Sequence, residues 1–552
     1  MTSDIAEVWT FLADVRRRRR RARRGRIAYA LYLAALLVAI YGGPLVVRAV
    51  HSVQSAPTAT TDTHRLVDAL PAGLAAVWLF LLLGLIRQAT WRGPILVSAP
   101  DADWMLPTPL PRSRVVGTRL RASLLTGTVV AAGAGLLGAL ILHGYGVARI
   151  GRLWLPMVVA AILVVALGLS AGALVERFDS ATSIVFRCSP AVGAVAVVLV
   201  GIAVDGAAGA RIGWLQPVVL WSGPWGWCSQ LVVQATGGAT GVRWPVAAAL
   251  AAITTLCVAT VAFVVASDIP ARALRRRAAT AAAISAAVFL GETRDARVGI
   301  RAGRNAPIKR RRLPMPVRAS LAVPWRDSTA LLRAPATTAW AVLGLGIAGV
   351  ALHTAAGHQS ARHVIIPIAV AMLAAYAAGA QLLEPARLDA DDVRRIRWSP
   401  YGSAGLARRH AVVATIMLTL SGVVAVAVAA PWLGTSRALT AVVAVIATTP
   451  VVVAAALVGA YRGRVPLELI FSGADVGFGP TGPVLLVAWY LYGPLTAIAA
   501  GEVVLAPLRP VWHHDLTPVA GFISSLTLAA CAGLIVYWWA GKRARDLNRS
   551  SS

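Results

Sequence analysis

Few residues in this chain stand where they could do covalent or acid–base chemistry. The grouping that offers proton transfer or metal ligation is His513-His514-Asp515, whose imidazoles and carboxylate could exchange protons near neutral pH. Three adjacent residues fix no geometry, and an interfacial loop accounts for them more simply. The four cysteines (Cys188, Cys228, Cys257, Cys531) show no C-x-x-C spacing, so no zinc site is expected and they read as small packing residues. Of 53 basic residues only Lys309 and Lys542 are lysines, and each is followed by arginine. The phosphate-cradling G-x-x-x-x-G-K-[ST] loop does not occur. No catalytic residue, metal or bound cofactor is therefore expected on this chain.

The organised polar residues fall elsewhere, in two stretches. Residues 93–121, GPILVSAPDADWMLPTPLPRSRVVGTRLR, place Asp101, Asp103 and Trp104 before a proline turn at Pro107, Pro109 and Pro111. Arg112, Arg114, Arg119 and Arg121 follow. Residues 384–410, EPARLDADDVRRIRWSPYGSAGLARRH, keep the same order: Asp389, Asp391 and Asp392, then Arg394 and Arg395, then Pro400, then Arg408 and Arg409. Pro94 to Pro109 and Pro385 to Pro400 are both 15 positions. A loop that only joins two helices needs no such organisation, so both read as docking elements for a separate soluble partner.

The elements that carry them are set by composition. The chain is 58% hydrophobic with a mean hydropathy of +0.70, and 14% of its 552 residues are charged. Its apolar runs reach the roughly 20 residues that span a bilayer, and they are continuous rather than alternating, which disfavours a β-barrel. The expected fold is an all-α polytopic membrane protein of about 12 transmembrane helices, near 27–47, 70–87, 122–143, 153–175, 188–205, 245–266, 336–353, 363–383, 410–430, 438–459, 482–500 and 518–540. With both termini cytoplasmic, 44 of the basic residues fall inside and 9 outside. That bias follows the positive-inside rule and explains most of the net charge of +30 without nucleic acid, for which no recognition module is recognisable.

The spans form two six-helix halves, 1–266 and 318–552, joined by a basic linker at 267–317 in which a short helix could form from Ala278. Each half opens on an amphipathic lead-in, 4–15 and 321–332, and carries its docking stretch after its second span. The repeat rests on order and spacing. Nine arginines between positions 16 and 26 suit anionic lipid headgroups. Glu176, Arg177 and Asp179 read as solvated charges at a helix end. Residues 206–244 hold Trp214, Trp221, Trp225 and Trp227 among Gly and Pro, and end on Trp244. An aromatic belt explains them, and a short external or re-entrant helix pair with Trp221, Trp225 and Trp227 as a gate is the functional alternative.

This layout resembles the permeases of type-two ATP-binding cassette exporters, in which an amphipathic helix opens each six-span unit, a coupling helix between spans two and three rests on an ATPase, and short external helices separate spans five and six. The positions that match are 4–15, 99–116 and 214–234, with 321–332 and 389–409 in the second half. Residues 93–121 and the WSGPWGW segment are similar to those of actinobacterial membrane proteins of this length that accompany such ATPases. The second half departs from the pattern at 501–517, which has no four-tryptophan segment. The resemblance implies a plasma-membrane exporter subunit, not itself an enzyme, that works with two copies of a separate ATPase holding ATP and Mg. Span interiors hold almost no ionisable residues beyond His143, Asp205 and Glu502 near the outer ends. An ion-coupled carrier usually needs such charges, so an apolar or amphipathic substrate is expected. The alternatives are an enzyme acting at His513-His514-Asp515, an ion-coupled transporter, and a permease that only regulates an ATPase.

Overall fold

The computed structural model describes residues 59–95, 97, 103, 112–209, 213–237, 241–289, 313–357, 361–392, 399–463, 482–512 and 518–549. The expected first span and lead-in helix, and His513, His514 and Asp515, lie outside them.

The first set of helices comprises α1 (Ala59–Ala89), α2 (Arg112–Gly144), α3 (Ile150–Arg177), α4 (Asp179–Ala207), α5 (Leu215–Trp221), α6 (Pro224–Gln234) and α7 (Trp244–Ala266). Then come α8 (Ala271–Phe289) and α9 (Ala322–Arg333). The second set is α10 (Pro335–Gly357), α11 (Ala361–Leu382), α12 (Glu384–Asp391), α13 (Ser403–Leu433), α14 (Thr435–Ala460), α15 (Gly482–Leu505), α16 (Leu508–Trp512) and α17 (Pro518–Arg549). No strand occurs among the described residues. Eleven helices (α1–α4, α7, α10, α11, α13–α15 and α17) are long and apolar enough to cross a membrane. The chain is an all-α, multi-pass membrane protein.

The physical reason is the solvent. In lipid a backbone N–H or C=O finds no water, so an Ala/Leu/Val run satisfies its polar groups internally as a helix. Apolar stripes such as Leu125, Val129 and Val130 on α2, or Leu420, Val424 and Val428 on α13, stay exposed. Such stripes are a liability in water and the ordinary surface of a lipid-facing helix.

Several spans run longer at the arginine-rich end than hydropathy suggests. α2 begins at Arg112 instead of 122, α13 at Ser403 instead of 410, and α17 continues to Arg549. Hydropathy stops at the first charges, whereas arginine is a good helix former and extends the helix into the headgroups. The last ten residues of the 93–121 stretch are therefore helix.

In each set one span sits at the centre. α3 packs against α1, α2, α6 and α7, and α14 packs against α11, α13, α15 and α17. Every residue of α14 from Val451 to Val458 is buried. Small residues allow the close approaches: a methyl at Gly135 would meet the α3 backbone at Met157 and Val158, and one at Gly344 would meet the Ala374 carbonyl of α11. Without a hydrophobic drive between helices in lipid, such contacts supply the association. The two sets meet along α4 and α10, where Gly193 lies under Leu343 and Trp340, Gly346 beside Val197 and Gly201 near Val350.

Candidate functional site

The stretch at 384–410 carries the best-defined polar site. Pro385 in the first turn and Glu384, favourable at a helix N-terminus, start α12. Its buried face is Pro385, Ala386, Asp389 and Ala390, while Leu388 and Asp391 are exposed. Asp389 thus projects from the apolar side of a short helix.

Asp389 meets two cations there. Arg326 on α9 donates to its Oδ2 at 2.6 Å, and His410, in the second turn of α13, approaches the same oxygen through Nε2 at 3.2 Å. The other imidazole nitrogen, Nδ1, lies 2.6 Å from Oδ2 of Asp327, which is also on α9. The His410 side chain is fully buried and both carboxylates are 4% exposed. A carboxylate oxygen lies against each ring nitrogen, an arrangement that suits an imidazolium donating from both, and Arg326 Nη2 also lies 3.4 Å from Nε2. The Arg326 guanidinium lies 2.6 Å from Asp389 and 3.6 Å from Asp327, giving the two buried carboxylates a cation, while its own side chain is 45% exposed.

The electrostatics follow from the geometry. Burial alone would lift the Asp389 carboxyl, but the bonds from His410 and Arg326 outweigh it and hold the group below the ordinary carboxylate range. Burial opposes the charge on Arg326, and the bonds to Asp389 and the field of both aspartates more than offset that, raising it. Tyr461, buried just beyond α14, is pushed up by burial first and then by the same two carboxylates.

Three further contacts tighten the clamp. The Tyr401 hydroxyl donates to the Ala319 carbonyl at 2.6 Å, Trp325 Nε1 donates to the Leu313 carbonyl at 3.1 Å, and Arg409 stacks 3.6 Å over the Tyr401 ring. The segment leading into α9, the short helix α12 and the base of α13 are joined as one piece.

The stretch at 93–121 is anchored by different chemistry. Gly93, at φ 73°, turns the chain so that the Ile95 N–H reaches Oε2 of Glu176 at 3.4 Å. A methyl at Gly93 would lie 2.6 Å from that carboxylate. Arg277 on α8 completes the site, 3.2 Å from Oε1 and donating to the Glu176 carbonyl at 2.8 Å. Glu176 is therefore not a solvated helix-end charge. Its side chain is fully buried, because α8 folds back over the end of α3. Ile269, Leu274 and Ala278 close that cap against Ile95, Val97, Val116, Leu120 and Ala173, so part of the expected linker is packed structure that begins earlier than Ala278.

The expected docking residues are distributed as follows. Asp103 and Asp391 are exposed, and Asp392 is half-buried just past α12. Arg112 and Arg114 occupy the first turn of α2. Asp101, Trp104, Pro109, Arg394 and Arg395 lie outside the described residues. Asp389, grouped in sequence with its exposed neighbours, faces inward. Sequence reasoning missed Arg326, Asp327, His410 and Arg277. A signal existed for Asp327, which sits midway between Val323 and Leu331 on the buried face of α9, an acid within an apolar helical stripe.

At the opposite end, the tryptophan segment is the helix pair α5 and α6. Gly223 at φ 145° makes the turn, and Gly226 lets α6 cross against the Val219 and Leu220 carbonyls. Gln230 is buried, donating to the Leu220 carbonyl at 2.9 Å and accepting from the Arg243 N–H at 3.1 Å. Trp221, Trp225 and Trp227 are half-buried and pack on the first set's core, Trp225 Nε1 donating to Ser222 Oγ at 2.8 Å. The second set has the short α16 in the corresponding place, with Arg509 paired to Glu502. Of the cysteines, Cys228 is buried, whereas Cys188, Cys257 and Cys531 are exposed instead of packed.

In comparisons with protein-family models, curated proteins and solved structures, nothing matches this chain.

Proposed function

We propose that this chain is the permease subunit of a type-two ATP-binding cassette exporter in the plasma membrane. In this reading it has twelve spans in two halves, both termini are cytoplasmic, and two copies of a separate ATPase rest on the inner stretches 93–121 and 384–410. The observation that carries the proposal is the clamp around α12. A helix that merely linked α11 to α13 would need no four-residue ion cluster with three of its members buried. A helix that must carry force would.

The mechanism follows from stiffness. ATP binding would close the partner dimer and press on the exposed side of α12, at Leu388 and Asp391. Asp389 would pass that push to α9 through Arg326 and to α13 through His410, so that packed helices shift together as a rigid body. The Glu176–Arg277 anchor would do the same for the first stretch. ATP and Mg belong to the partner, since the chain has no phosphate-binding loop of its own. Asp205 is paired to His353 at 3.1 Å and Glu502 to Arg509, which favours an uncharged path and an apolar or amphipathic substrate over ion coupling.

The test is purification of the full chain from its own host in lipid nanodiscs. A cassette ATPase should co-purify, and reconstituted vesicles should show ATP-dependent flux. Recovery of the chain with no ATPase would overturn the reading. ATPase stimulation without flux would leave docking intact and remove transport.

A further inference from the structure

At the C-terminal end of α1, one stripe of residues borders an open groove. Phe80, Gly84, Arg87, Gln88 and Trp91, with Leu81 and Leu85 beside them, line a volume of about 560 Å³, within the roughly 300–1,000 Å³ of small-molecule sites. From Phe80 to Gln88 the stripe rises about 12 Å along the helix, and Trp91 follows in the turn beyond it. Its floor is open at Gly84, where a methyl would meet nothing within 4 Å. The walls are aromatic and aliphatic except at Arg87 and Gln88.

Arg87 is the unusual member. An arginine at a span end ordinarily snorkels outward to water. Here the guanidinium is half-buried and stacks 4.3 Å over the ring of Trp340 on α10, in the second set of helices. No carboxylate pairs with it among the described residues. The groove therefore combines a long apolar wall with one oriented cation that has no carboxylate partner among the described residues.

We propose that this groove binds an amphiphile with a single anionic head, phosphate or carboxylate, its tail along Phe80, Leu81 and Leu85 and its head on Arg87. Guanidinium forks pair with such oxyanions in two parallel bonds, and Gln88 can donate a third. The binding site needs only the membrane-spanning fold; that the occupant is cargo rests on the permease reading.

The experiment titrates the full-length protein with dodecyl phosphate and, separately, with zwitterionic dodecylphosphocholine, bound copies being counted by native mass spectrometry. The wild type should show one saturable dodecyl phosphate site. R87Q should weaken it about tenfold, the loss of one charge-assisted pair, and R87K less, because charge remains without the fork. G84F should weaken it comparably by filling the groove, with Arg87 untouched. Equal binding of the zwitterion, or wild-type binding by both R87Q and G84F in monodisperse protein, would overturn the proposal. G84F keeps the test decisive should R87Q fail to fold. With the partner ATPase present, displacement by ATP marks the bound anion as cargo, and retention marks it as a resident lipid, the site being as proposed in both. Absence of any ATPase would overturn the permease reading alone.

Discussion

Asp389 and Asp391 are two positions apart on one short helix and do different things. The first is buried between Arg326 and His410, and the second is exposed. Removing one member of a buried ion cluster leaves the others uncompensated, at a cost of about 3–5 kcal/mol. Asp389→Ala should therefore lower the unfolding transition markedly in detergent, while Asp391→Ala should leave it within about 0.5 kcal/mol. Acid should act through the same group. Because the folded state holds the Asp389 carboxyl below its ordinary value, its contribution is complete above the unfolded value of about 3.9 and fades as pH falls through the folded one. Between about pH 5 and pH 2 the wild type should lose more stability than Asp389→Asn, as thermal melts across that range would register. Charge type and spacing alone placed Asp389 with Asp391 and Asp392. What separates them is helical phase, visible only once α12 is known to start at Glu384 and bury Ala386 and Ala390.

At the scale of elements, the apolar runs were legible because lipid leaves helices as their available form. Their arginine-rich ends were not, since hydropathy counts a charge as the end of a span. The lead-in at 321–332 follows from amphipathic spacing, and α9 lies there; residues 206–244 read first as an aromatic belt with a helix pair as the alternative, and they contain the helices α5 and α6. The fold-back of α8 was hidden, because its decisive contact joins Arg277 to Glu176, 101 residues apart. That contact predicts a local phenotype. Arg277→Ala should leave Glu176 buried without its cation and free α8 from the end of α3. Limited proteolysis should then cut within 271–289 far faster than in wild type, with the spans still intact. Gly93→Ala should weaken the same anchor from the other side, because the new methyl both strains a positive φ and collides with the Glu176 carboxylate.

Across the whole molecule, the stretches at 93–121 and 384–410 share an order of residues but not an anchoring chemistry. One hangs from a glutamate, an arginine and a backbone N–H, the other from two aspartates, an arginine and a histidine. The proposed machine should be unequal in use as well. Charge reversal at Asp101 and Asp103 is expected to impair ATPase association more than reversal at Asp391 and Asp392, and pull-down of the partner against each pair would compare them. The most direct measurement is contact itself. With a photo-crosslinking side chain at Leu388, on the exposed face of α12, illumination of membranes should join the chain to a nucleotide-binding ATPase. The same probe at the lipid-facing Val424 of α13 should not. Cross-links from Leu388 to lipid alone, or to no ATPase while the clamp is intact, would contradict the account.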